Sequence, residues 1–384
     1  MQIKCILNIN SWSLHQYLFF LSTIFIPLNP QANTFVVEGS DLLMGIGPAE
    51  IARAGASSAA TNDLFAVRWN PAGLVEIKQQ SFALSRQLDS QLVKLNFIGF
   101  GMHKKNVLHS GLDATFALTW FTRLHIKTHG TFAEDSLETV FLEYALPGYP
   151  KDFIGTIESK TREYRFGVAI KSSTHNNLSL GMTLGIVKCG TTSCGVRASS
   201  PDNYHIQSTD ATAYSLGAGI KYQLTEQIRL ALAVQDFDTK VNVETQVISN
   251  DGIESNQFTT HLPTNVAFGM LMETQRNYML SADYQATYGT YGSSSIDFRL
   301  LRLGLRKHWH HFRFNVGSII PIRLSTGTTG NLMGRAPSPI LPTAGLSWLN
   351  RRFTLDFVIY PNPIVSYQQE KLIFSAETSI AVHY

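Results

Sequence analysis

Three groups of side chains have the types and spacing for chemistry. Cys189 and Cys194 stand in Cys-Gly-Thr-Thr-Ser-Cys. In an exported chain, two thiols this close suit a disulfide closing a small loop. The other use of such a pair is half of a metal site, with His205 as the nearby histidine. His308-Trp309-His310-His311 carries three imidazoles, but it follows Lys307 in a stretch that reads as a short interfacial turn. Asp236 and Asp238 flank Phe237 at a strand end, which suits either an acid–base pair or a solvated rim; we read a rim. The sequence has no Gly-x-Ser-x-Gly elbow, no phosphate loop and no His-Glu-x-x-His. It therefore reads as a chain that is no enzyme, with no metal site and no cofactor. What remains is transport or docking.

Composition narrows the elements that could position such a function. Of 384 residues, 44% are hydrophobic and only 15% are charged, against roughly 25% charged in soluble domains. Aromatic residues make up 11%, with 23 Phe and 14 Tyr. The net charge of +3 gives no basic patch for nucleic acid. Beyond the N-terminus no apolar run is long enough for a membrane-spanning helix. Residues 1–32 read as a signal peptide: Lys4, an apolar run from Tyr17 to Ile26, and the small Ala32 after Pro30-Gln31. An N-terminal anchor helix is the alternative, and Cys5 goes with this segment.

From Gln79 onward, segments of about ten residues alternate apolar and polar, with turn residues between them. Fourteen strands are expected. The first half has 79–88, 91–103, 110–126, 161–173, 177–188, 211–224 and 227–239. The second has 263–273, 276–288, 294–307, 310–322, 340–349, 352–360 and 371–384. Short connections fall at His175-Asn176, Thr225-Glu226, Thr274-Gln275, His308-Trp309 and Asn350-Arg351. Long ones fall at 127–160, 189–210, 240–262, 323–339 and 361–370. Short turns on one side and long loops on the other belong to outer-membrane barrels. Tyr222, Tyr278, Trp309, Trp348 and Tyr384 fall at the short-turn ends, and Trp120, Tyr214, Tyr288 and Tyr360 towards the long-loop ends. Two such groups would make interfacial girdles. The expected fold is all-β, a transmembrane antiparallel β-barrel of about 14 strands over residues 76–384. A barrel this wide has a lumen that wall side chains do not fill. Residues 33–75 are expected to form an N-terminal hatch (plug) within it.

Inside that hatch, Ala52–Leu74 is rich in Ala, Gly and Ser and can pack closely against other backbone. Asn70-Pro71 enforces a corner, because proline fixes φ and biases the preceding residue to extended backbone. Asn70-Pro71-Ala72-Gly73-Leu74, preceded by Arg53-Ala54-Gly55, Ala59-Ala60 and Asp63, resembles the N-terminal signature of the FadL/TodX-like outer-membrane transporters. With Trp69 ahead of it, the same stretch also resembles the PorV-type barrels of bacterial secretion systems. The terminal Tyr384, after apolar residues at alternate positions, resembles the signal by which the barrel-assembly machinery recognises its clients.

The first resemblance implies a fourteen-stranded barrel with a hatch, set among the outer-membrane lipids of a Gram-negative-type bacterium. It implies passive uptake of a hydrophobic small molecule such as a long-chain fatty acid. It also implies that Asn70, Pro71, Ala72 and Gly73 hold the hatch corner and need not touch ligand. From the residues themselves, Leu42, Leu43, Met44 and Ile46, with Phe35–Val37, are apolar where a lumen is normally polar. They could line a hydrophobic site or pack the hatch on the wall. Phe132, Leu137, Phe141, Tyr144, Leu146 and Tyr149 make the loop 127–160 unusually apolar, suited to capturing a greasy substrate or docking a partner. The second resemblance implies instead a docking component with a secreted-protein partner. A structural surface barrel with a sealed lumen also fits.

Overall fold

The computed structural model describes residues 35–38, 44–88, 95–107, 111–132, 153–172, 177–189, 197–199, 205–208, 211–249, 252–291, 294–326, 330–331, 338–362, 366 and 371–384. Leu42, Leu43, Cys194, His175-Asn176, the stretch from Leu137 to Tyr149 and residues 1–32 lie outside them.

Fourteen strands form the wall. They are β1 Ser81–Gln87, β2 Phe97–Lys104, β3 Leu112–Phe132, β4 Phe153–Ser172, β5 Leu178–Cys189, β6 Ala211–Gln223 and β7 Ile228–Gln235. Then follow β8 Thr264–Glu273, β9 Tyr278–Tyr291, β10 Ser294–Trp309, β11 Phe312–Thr326, β12 Leu341–Leu349, β13 Phe353–Pro361 and β14 Phe374–His383. Each pairs antiparallel with the next, and β14 returns to β1 from Ser81↔His383 to Gln87↔Glu377. The sheet is a closed barrel with no free edge, which a sheet crossing hydrocarbon requires.

Strict alternation sets the two faces. On β5, Met182 and Leu184 point outward and are 62% and 50% exposed, while Ser179, Thr183 and Val187 point in and are buried. Tyr214, Leu216, Ile220 and Tyr222 repeat this on β6. A continuous apolar exterior of this extent fits lipid, not water.

The lumen holds the hatch: α1 Pro48–Ile51, α2 Ala66–Trp69, and a 3-10 helix at Pro71–Glu76. Ile46, Leu64, Phe65, Val67, Trp69 and Leu74 form one core with Phe97 and Phe121 of the wall. The Phe65 and Phe97 rings lie 4.4 Å apart. The wall is notched where the hatch presses on it. A Cβ at Gly181 or Gly219 would overlap Asn70–Ala72, and one at Gly317 or Gly345 would overlap Ala52–Ala54.

Several ends differ from expectation. In place of an open loop over 127–160, β3 and β4 stay paired as far as Phe132↔Phe153. Within 240–262, Lys240–Ser249 pairs with Gly252–His261 as a hairpin. Val241 and Val243 are buried with Val187, Ala211 and Ala213 of β5 and β6, so apolar alternation continues past the wall. His308-Trp309, expected as a turn, are the last residues of β10. Trp309 pairs with Phe312, and the turn is His310-His311 with His310 at φ 54. Phe35–Glu38 does not join the body of the hatch but pairs with His125–Thr128 of β3. The β2–β3 ladder stops at Phe97↔Phe121, which leaves that edge of β3 open to it. Tyr360, assigned to a girdle, is 5% exposed and faces the lumen beside Val358.

Candidate functional site: the lumen and its hatch

The Asn-Pro-Ala corner is a cap fastened to the wall. Asn70 is extended at φ −157, and Pro71 opens the 3-10 helix. The Asn70 Oδ1 accepts from the Ala72 N–H at 3.0 Å, an N-cap bond. Its Nδ2 donates to Ser58 O within the hatch at 2.9 Å and to Ile220 O of β6 at 3.2 Å. Gly73 lies against Thr61, where a Cβ would meet the carbonyl oxygen at 2.6 Å. Asn70, Pro71, Ala72 and Gly73 thus form one buried corner.

Above the corner lies a buried charge network. A bulge between Thr122 and Leu124 leaves Arg123 out of the ladder, and its side chain is buried in the lumen. Its guanidinium bonds both Asp236 oxygens, at 3.0 and 2.8 Å. Arg165 donates to Glu163 at 2.6 Å, to Asp236 at 3.1 Å, and to Val67 O of the hatch at 3.0 Å. Arg68 of the hatch lies 3.9 Å from Asp236. Asp236 is therefore buried and not a solvated rim; a positive φ of 57 accompanies its position just past β7. Asp238 does face solvent, beside Lys240 at 3.5 Å. The sequence offered no signal for this network, because its members are spread from residue 68 to residue 236.

Other bonds fix the rest of the hatch. Asp283 accepts from the Ser57 and Ser58 N–H groups at 3.0 and 2.7 Å. Arg302 donates to Ala54 O at 2.7 Å and stacks 5.7 Å from the Trp69 ring. The Trp69 indole N–H donates to Ile46 O at 2.8 Å. Glu76 meets Lys221 at 2.5 Å and Arg229 at 2.9 Å. Burial pushes the Glu76 carboxyl up, but these two cations more than offset it and hold it below the ordinary 4.5. Burial pushes the Glu50 carboxyl up from 4.5 to about 7, against the pull of Arg53. The gap beside Gly45, Gly55 and Ser58 measures about 10 Å³, room for about one water.

The wall built from β10 to β13 has three storeys. Towards the long loops it is apolar: Ile296, Phe298, Leu300, Ile319, Leu324, Leu341, Val358 and Tyr360 pack together with Met44 of the hatch. At hatch level, Gly304, Gly317 and Gly345 receive the hatch backbone. Towards the short turns it is polar, with Arg306, Arg313, Asn315, Ser347 and Asp356. There the hatch and wall leave a cavity of about 320 Å³. Met44 therefore meets the apolar storey, whereas Ile46 sits in the hatch core with Trp69 and Leu74. Cys189 is buried and disulfide-bonded. Among the described residues no cluster of three metal-ligating side chains occurs. His308 Nε2 contacts His310 O within its turn.

No protein-family model matches the chain, and no curated protein matches it in sequence. Solved structures do. The toluene transporter TbuX of Ralstonia pickettii aligns over 89% of this chain and 98% of its own, at 13% identity and TM-score 0.57. The toluene transporter TodX of Pseudomonas putida aligns over 88% and 97%, at 14% identity and TM-score 0.54. A Pseudomonas aeruginosa FadL homologue aligns over 88% and 97%, at 10% identity and TM-score 0.53. The closed fourteen-stranded barrel thus has the fold of these FadL-type outer-membrane channels, shared at 10–14% identity.

Proposed function

We propose that this chain is an outer-membrane channel for passive uptake of hydrophobic small molecules, monoaromatic hydrocarbons or long-chain fatty acids among them. In this reading the short turns face the periplasm, the long loops face outward, and the chain is inserted by the barrel-assembly machinery. One observation carries it. Eight apolar side chains of β10–β13 face inward and form one buried core with Met44, Ile51, Ala52 and Ala54 of the hatch. A lumen filled only with water would favour polar side chains there, and this cluster would give a greasy ligand apolar partners when the hatch shifts off it. The hatch below blocks a straight path, so transit requires it to shift.

The test is a titration of toluene and of a fluorescent fatty acid into detergent-purified protein. Phe298→Arg and Leu300→Arg should weaken both by about tenfold or more, since each places a charge in the apolar wall. Binding of neither ligand to wild type, together with co-purification of a secreted protein, would replace uptake with docking.

A further inference from the structure

The cavity on the periplasmic side of the hatch has a charge pattern that transit of a neutral hydrocarbon does not call for. Arg306 of β10 is 8% exposed. Its Nε donates to Asn315 Oδ1 at 2.9 Å, and its terminal N–H groups have no carboxylate partner among the described residues. Arg313 of β11 pairs with His308, two residues along the ladder, and lines the same cavity with no ion pair within 4 Å among the described residues. The acids nearby have their direct bonds elsewhere, although Asp356 also attracts Arg313 across the cavity. Glu76 is held by Lys221 and Arg229. Asp63 accepts from the Phe65 N–H at 2.9 Å, and Asp356 from the Ser379 hydroxyl at 2.9 Å. Arg306 is buried and Arg313 half-buried, so their remaining donors face the cavity and can meet an acceptor that enters it. Leu64, Phe65 and Ile77 of the hatch give the opposite side an apolar lining. The volume of about 320 Å³ lies at the lower end of small-molecule sites.

We propose that this cavity is a second binding site, for a small amphipathic monocarboxylate. Arg306 and Arg313 take the carboxylate, and Leu64, Phe65 and Ile77 take its apolar body. The inference rests on the uptake reading and deepens it: cargo with an acid group is held once more below the hatch, on the way out. Neutral cargo passes without stopping there.

The experiment compares benzoate with toluene on the full chain in detergent at neutral pH, by saturation-transfer NMR and calorimetry. Folding of each variant is checked by its heat-modifiable gel migration. Arg313→Gln should weaken benzoate binding by about tenfold and leave toluene unchanged, because a charge-assisted bond is lost and no apolar contact is touched. Arg313→Lys should retain part of the affinity, and Arg306→Gln should repeat the loss independently. Benzoate that fails to bind wild type, or binds it and both Gln variants equally, overturns the proposal while toluene binding keeps the uptake reading intact. Toluene that fails to bind wild type overturns the uptake reading itself.

Discussion

The two sides of the lumen solve opposite problems. On the side of β3–β7 the hatch is clamped: Asn70 bonds to Ile220 O, Arg165 bonds to Val67 O, and Asp236 collects Arg68, Arg123 and Arg165. On the side of β10–β13 the hatch backbone is seated on a glycine seam and bonded by Arg302 and Thr343 at Ala52–Ala54, with a shared apolar core above it and a cavity below. The plug is held by buried charge pairs on one side and by backbone bonds and apolar packing on the other. In the uptake reading proposed above, the first side anchors the hatch and the second side lets cargo pass.

The largest way to break that contrast is to empty the clamp. Asp236→Ala leaves Arg123 and Arg165 buried with Glu163 alone to share, a loss of about 3–5 kcal/mol for a broken buried pair. Thermal unfolding should fall sharply, while Asp238→Ala, on an exposed acid, should barely move it. Next comes the seam. Gly219→Ala sets a Cβ against Asn70 and should cost about 1–3 kcal/mol as overpacking. Limited proteolysis should then cut the hatch while the barrel stays protected. Asn70→Ala removes the cap and two carbonyl contacts, about 1–2 kcal/mol. Hatch order and transport should suffer with insertion intact; loss of insertion would make the corner a folding element.

Acidification should act on the hatch in two steps of opposite sign. Glu50 has a raised pKa, so its burial destabilises the ionised form and hatch protection should improve as pH falls from above 7 towards 4.5. Glu76 has a lowered pKa, so its pairing with Lys221 and Arg229 contributes above 4.5 and is lost as pH falls further. Hydrogen exchange of hatch amides should therefore be slowest in mild acid, and Glu50→Gln should flatten only the upper limb. The smallest effect concerns the long-loop end. We propose Cys194 as the partner of Cys189, and reduction should leave barrel stability nearly unchanged.

The barrel could be read from the sequence because its signal is local. Leu178, Leu180, Met182, Leu184 and Ile186 announce their face without reference to any other strand. The paired extensions of β3 and β4 were read as loop, because beyond the lipid an alternating exterior is no longer required. Tyr360 was misplaced because aromatic type was weighed over its parity with Val358. Asp236 was read as solvated because its three arginine partners are remote in sequence. One signal for the seam was present and unused: Gly181, Gly219, Gly317 and Gly345 interrupt otherwise apolar or polar alternation, and glycine inside a strand marks close backbone approach. The Asn-Pro-Ala corner was legible as a turn, but its bond to β6 was not.

The most direct test of passage along the β10–β13 side is uptake itself. Proteoliposomes carrying wild type, Phe298→Arg or Asp238→Ala would be loaded with an environment-sensitive dye and challenged with a hydrophobic ligand outside. The account predicts rapid, protein-dependent entry for wild type and Asp238→Ala and a loss of about tenfold or more for Phe298→Arg. Equal entry in all three, no faster than into protein-free liposomes, would contradict it.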